Sequence, residues 1–138
     1  MNRKIVHAAK LWLGTPFHLQ GRVQNVGCDC LGLLMGIAKE LNLKTTDGTP
    51  LVNFDRSDYH IIHDGKILEE QLDKLLEQTD QIEEGSLLLL EYDKTPQHLA
   101  IASSHNSMIH AHIKHRKVVE HSIDVWIRNK IKKIYKLT

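Results

Sequence analysis

Cys30 is the residue with the clearest chemical potential. It stands in Asp29-Cys30-Leu31-Gly32-Leu33, where a breaker-rich stretch gives way to an apolar run with Leu33, Leu34, Ile37, Ala38 and Leu41 at helical spacing. A cysteine in the first turn of a helix meets unpaired backbone N–H groups. These stabilise a thiolate and can bring a thiol pKa from about 8.5 into the range of roughly 3.5–7.5. A thiolate at neutral pH is a nucleophile, and nucleophilic catalysis needs a base within hydrogen-bond reach and a third group to orient that base. Cys28 is the alternative thiol, but it lies outside the helix start and reads as packing.

Ten histidines compete for the supporting roles, and strand alternation sorts them. In His98-Leu99-Ala100-Ile101-Ala102, His98 shares a face with Ala100 and Ala102. An alanine face would admit the Cys30 helix closely, helped by Gly32 and Gly36. His110 and His112 share a face opposite Ile109 and Ala111, so an adjacent strand can set either beside His98. His105, His115 and His121 fall in turns or at strand ends and read as solvated. His7, His18, His60 and His63 have no evident partner, although His18 is near the expected cleft. Cys28, Cys30, His110 and His112 could instead hold zinc, but Cys-x-Cys and His-x-His lack the usual spacers of structural sites. No metal or organic cofactor is expected.

The elements that must position these residues are legible as a series. Asn2 to Leu13 reads as an amphipathic helix stopped by Gly14-Thr15-Pro16, and a loop runs to Gly27. A helix then spans about Cys30 to Asn42. Thr45 to Gly65 is polar and turn-rich, an excursion over the surface. Another helix carries Ile67, Leu68, Leu72, Leu75 and Leu76 and ends near Thr79. Ser86–Tyr92, Leu99–Ser103, Ser107–Ile113 and Lys117–His121 read as strands, Asp124–Lys130 as one helical turn, and Ile131–Leu137 as a last strand. Trp12, Trp126 and Leu87 to Leu90 are assigned to the core. Helices first and a meandering antiparallel sheet second make an α+β layout, a single domain over residues 1–138.

A formal charge of +1 gives no pull toward nucleic acid or anionic membrane. The cluster Lys130, Lys132, Lys133 and Lys136 alternates with apolar residues and reads as a wet face. Two cysteines cannot build a disulfide framework. The N-terminus lacks the apolar core of a signal peptide, and no run approaches membrane-spanning length, so membrane insertion is not expected. The expectation is synthesis as a soluble cytoplasmic product, with any later export by another route.

At its chemical residues the chain resembles a family. Asp29-Cys30-Leu31-Gly32-Leu33, then His98 opening a strand, then Met108-Ile109-His110-Ala111, follows the order of the NlpC/P60 cysteine peptidases. Trp12-Leu13-Gly14-Thr15-Pro16-Phe17 through Gln20-Gly21-Arg22 is similar to the phage-encoded cell-wall branch. The likeness continues through Gly85–Leu89 and Val118–His121. It implies a papain-like α+β fold and cleavage of peptide bonds in bacterial peptidoglycan, with Cys30 as nucleophile, His98 as base and His110 orienting His98. It also implies a Cys30 N–H oxyanion donor, action at the cell wall, and phage tail proteins as partners. Asp29, Phe17, His18 and Gln20 become candidates for substrate contact, Asp29 through a peptide ammonium. Two positions depart from the pattern: Phe17 stands where many members have a tyrosine, and Leu31 where many have a serine. The alternatives are a weak or inactive wall-binding module, or a thiol amidase or thioesterase on another substrate.

Overall fold

The computed structural model describes residues 2–56, 65–92 and 95–138. Helix α1 (Arg3–Lys10) starts where Asn2 Oδ1 accepts the Ile5 N–H at 3.3 Å, and it buries Ile5, Ala8 and Ala9. A small hairpin follows, β1 (Arg22–Val23) and β2 (Gly27–Cys28), within the stretch expected to be irregular. Helix α2 (Cys30–Leu41) begins directly after it. A 3-10 turn (Leu51–Phe54) occupies the start of the expected surface excursion, but it buries Leu51; positions 57–64, with His60 and His63, lie outside the described residues.

Helix α3 (Gly65–Leu75) stops short of Thr79, because Glu77–Thr79 forms strand β3 instead. Three residues are too few to show alternation, and β3 exists because Lys136, Tyr135 and Ile134 are there to pair with it. Strands β4 (Leu87–Tyr92), β5 (Thr95–Ser104), β6 (Ser107–His112) and β7 (Lys117–Ser122) form the antiparallel meander. After the short helix α4 (Val125–Arg128), strand β8 (Ile131–Lys136) returns to the opposite edge, between β3 and β4. The sheet order is therefore β3-β8-β4-β5-β6-β7.

Each face of this sheet has its own apolar layer. Leu87, Leu89, Leu99, Ile101, Ile109 and Ala111 pack with Ile5, Trp12, Leu33, Leu34 and Ile37 of the helical layer. Leu88, Leu90, Ala100, Ala102, Met108 and Ile123 form the second layer. The helices thus cover the Leu99/Ile101 face rather than the alanine face, which corrects the sequence expectation. Large branched side chains bury more apolar area against a helix than alanines do, and that term decides the packing. Gly32 and Gly36 do allow close approach, but to other partners. A Cβ on Gly32 would collide with the Gly21 carbonyl, and one on Gly36 with the Trp12 ring.

Trp126 is a second correction. It is 60% exposed, stacked on Tyr92 at 6.1 Å, with Lys130 Nζ 5.2 Å from its ring. Helix α3 is held to β8 by polar contacts: Tyr135 donates to Asp73 at 2.6 Å, and Lys132 and Lys133 pair with Glu69. Among the described residues no helix is long and apolar enough to cross a membrane.

Candidate active site

Asp29 caps α2, accepting the Gly32 N–H at 2.8 Å, and so places Cys30 at the first helical position. The sheet opens opposite this point. Pairing of β5 with β6 runs through Ser104, Ala102 and Ile101 and stops at Ile109, although β5 reaches back to Thr95 and β6 on to His112. The strands part there, and the backbone N–H of Leu99 points at the Cys30 sulfur, joined by that of Leu31. A thiol carried by the helical layer thereby reaches strands whose histidines project from the other face.

His98 and His110 meet on that face. His98 Nε2 lies 2.7 Å from His110 Nδ1, with the rings edge to face at 5.0 Å. His98 Nδ1 is not engaged in that contact. His110 is 1% exposed, and its second nitrogen, Nε2, lies 2.7 Å from His121 Nε2. His112, the competitor from the same strand face, sits 4.9 Å from the His110 ring but turns its Nδ1 to His115, accepting that residue's backbone N–H at 3.2 Å. His110 therefore contacts His98, and His112 does not.

Burial sets the electrostatics. The Cys30 thiol is pushed up to about 12, first by burial and then by the Asp29 charge, while the Leu99 and Leu31 N–H groups and Arg22 pull the other way. Burial, then His112, brings His98 down to about 4. Burial and the surrounding imidazoles bring His110 down to about 2. Both shifts favour the uncharged forms, against the helix-stabilised thiolate that the position of Cys30 suggested. A helix start offers a few partial charges, whereas partial burial strips hydration from the anion, and the second effect is larger here.

The remaining candidates are placed less uniformly. Asp29 is 3% exposed, and its carboxylate is engaged within the fold. It takes the Gly32 N–H, the Gln20 N–H at 2.7 Å and Arg22 Nη1 at 3.2 Å. These contacts make it the anchor of the loop. Arg22 extends the network to Asp55 at 2.9 Å and to the Arg56 carbonyl at 2.8 Å. Gln20 is exposed, in a left-handed conformation (φ 64°). His18 is exposed too, its ring bonding the Leu19 carbonyl at 3.0 Å. Phe17 is half-buried against the helical layer, and its N–H donates to the Arg116 carbonyl at 2.8 Å. Cys28 is fully buried, with its thiol also pushed up to about 12, chiefly by burial. No group of three His, Cys, Asp or Glu side chains among the described residues is placed to hold a metal.

His121 is the residue that sequence reasoning passed over. The signal was the turn length: if His112 pairs with Lys117 across the loop 113–116, then His110 faces Val119 and His121 falls diagonally beside His110.

The sequence matches the NlpC/P60 family over residues 14–134, a span holding Cys30, His98 and His110. A search of curated protein sequences gave no match. Among solved structures, the NlpC/p60 domain of the peptidoglycan hydrolase SagA is similar, with TM-score 0.66 and 19% identity over 99% of both chains. An NlpC/P60 family protein of Bacillus cereus gives TM-score 0.68 and 16% identity over 96% of this chain and 39% of its own. A lipoprotein-like NLP/P60 protein of Staphylococcus aureus gives TM-score 0.62 and 15% identity over 97% and 40%. This chain thus spans about two fifths of the latter two.

Proposed function

The chain belongs to the NlpC/P60 family, and on that premise we propose that it is a cysteine peptidase hydrolysing stem or cross-bridge peptides of bacterial peptidoglycan. The observation carrying this reading is the His98–His110 contact beside the gap that receives the Cys30 sulfur. Burial raises the thiol and lowers His98, which favours proton transfer in step with attack. His98 Nδ1 takes the Cys30 proton as the sulfur bonds to the substrate carbonyl carbon. The carbonyl oxygen gains the negative charge, and the Cys30 N–H, at the start of α2, is placed to donate to it. Protonated His98 then gives its proton to the leaving amine, leaving a thioester on Cys30. Water, deprotonated by His98, adds to the thioester; collapse returns the proton to sulfur and frees the acid. No metal enters these steps.

The SagA resemblance supports peptidoglycan as the substrate class. Phage or prophage origin and association with tail proteins rest on Trp12–Phe17 and Gln20–Arg22, and place the site of action at the cell wall. Leu31 and Phe17 argue against importing the substrate contacts of members with serine and tyrosine there. A wall-binding module without turnover is the second reading, favoured by the missing hydroxyl at Phe17. The test is digestion of purified peptidoglycan by the wild type and by Cys30→Ala, with mass analysis of released muropeptides. Release by the wild type alone is expected. No release beside a working control peptidase supports the binding module, and equal release by both proteins removes Cys30 from the mechanism.

A further inference from the structure

Three imidazoles run in a line that ends on a backbone carbonyl. His98 Nε2 lies 2.7 Å from His110 Nδ1, His110 Nε2 lies 2.7 Å from His121 Nε2, and His121 Nδ1 lies 3.0 Å from the Ser122 carbonyl oxygen. We propose that His121, fixed by the Ser122 carbonyl, is a positioning residue that sets the tautomer of His98 through His110.

A carbonyl oxygen accepts only, so the proton of neutral His121 sits on Nδ1 and its Nε2 offers a lone pair. His110 must then donate from Nε2, which leaves its Nδ1 as the acceptor. His98 in turn donates from Nε2 and carries its lone pair on Nδ1. That lone pair is what a base facing Cys30 needs. Run the other way, the chain would put a proton on His98 Nδ1, unable to take another from the thiol, and would set the His121 Nδ1 lone pair against the Ser122 oxygen. The direction thus follows from one acceptor at the far end.

Other candidates for the terminal role are occupied elsewhere. His112 is turned to His115, and both ring nitrogens of His110 are used within the line. During attack a single proton moves, from Cys30 to His98 Nδ1. The cation formed still donates from Nε2 to His110, so no proton needs to travel along the chain. The kinetic consequence rests on the peptidase reading; the tautomer order does not.

The experiment is long-range proton–nitrogen correlation NMR on histidine-labelled protein at neutral pH. The expected spectrum shows His98 and His110 as Nε2–H tautomers and His121 as Nδ1–H. His121→Leu should return His110 to a mixture of tautomers and slow muropeptide release by roughly tenfold or more, since base assistance is worth about 10²–10⁴. His121→Gln, whose amide oxygen can accept from His110 Nε2, should restore both readouts. A wild-type Nδ1–H tautomer at His98, or an unchanged His110 tautomer in His121→Leu, overturns the proposal. If His121→Leu fails to fold, the wild-type spectrum still decides. Because that spectrum needs no substrate, failure of the digestion assay leaves the tautomer result separate.

Discussion

The backbone N–H of Leu99 points at the sulfur of Cys30, one residue along from His98. That amide is available because β5 has parted from β6 beyond Ile101. The thiol therefore lies at a break in the sheet ladder, half-buried between β5 and the start of its own helix. Burial there pushes the thiol up and the neighbouring strand's His98 down, so both shifts favour the uncharged forms.

Alkylation of Cys30 tests that state. With the thiol pushed up to about 12 and His98 down to about 4, the iodoacetamide rate, followed by mass at Cys30, should keep climbing with pH through about pH 9. A plateau beginning below neutrality would show a resting thiolate–imidazolium pair instead.

Acid stability follows from the same burial. His98 and His110 stay neutral in the fold down to about 4 and about 2, whereas in the unfolded chain an imidazole protonates near 6.5. Across that window the unfolded chain holds more protons, so stability rises with pH and is lost as pH falls below about 6.5. Urea titrations should show about 2–4 kcal/mol less stability at about pH 5 than at about pH 7.5. The loss should shrink in a His98→Gln, His110→Gln double variant. Equal stability at both pH values would mean these rings are hydrated.

Asp29 should matter to the fold as much as to the site. Asp29→Ala removes the α2 cap, the acceptor for Gln20 and a partner of Arg22 together. A loss of about 2–4 kcal/mol in urea unfolding is expected, and Asn at this position should cost about half, keeping the cap but not the charge. A change under about 0.5 kcal/mol for the alanine variant would contradict the anchoring role.

Gly32→Ala should destabilise the protein by about 1–3 kcal/mol, because the new methyl meets the Gly21 carbonyl, a backbone atom with little room to retreat. Muropeptide release should fall with it, since the loop it displaces is the one pinned to Asp29. Wild-type stability in this variant would show that the loop and α2 are not tightly apposed.

Most elements were legible because their patterns are local. Apolar spacing marks α2, alternation marks β5 and β6, and a helix start after a glycine-bearing loop singles out Cys30. The hairpin β1–β2 and strand β3 were not legible, since two- and three-residue strands carry no periodicity and exist through their partners. The choice between His110 and His112 lies between the two: alternation narrowed it to one strand face, and register made the contact. Face and charge were decided by the tertiary structure. Which side of β5 met the helices depended on the apolar area gained by burying Leu99 and Ile101, a comparison between elements that no single segment contains. The thiol pKa depended on the burial of Cys30 between α2 and β5 and on the Asp29 charge beside it. By itself the sequence determined which side chains could perform acyl transfer and the elements that carry them. Tertiary structure shifted their pKa values and joined His121 to the line, because desolvation and cross-strand register arise only when distant segments pack.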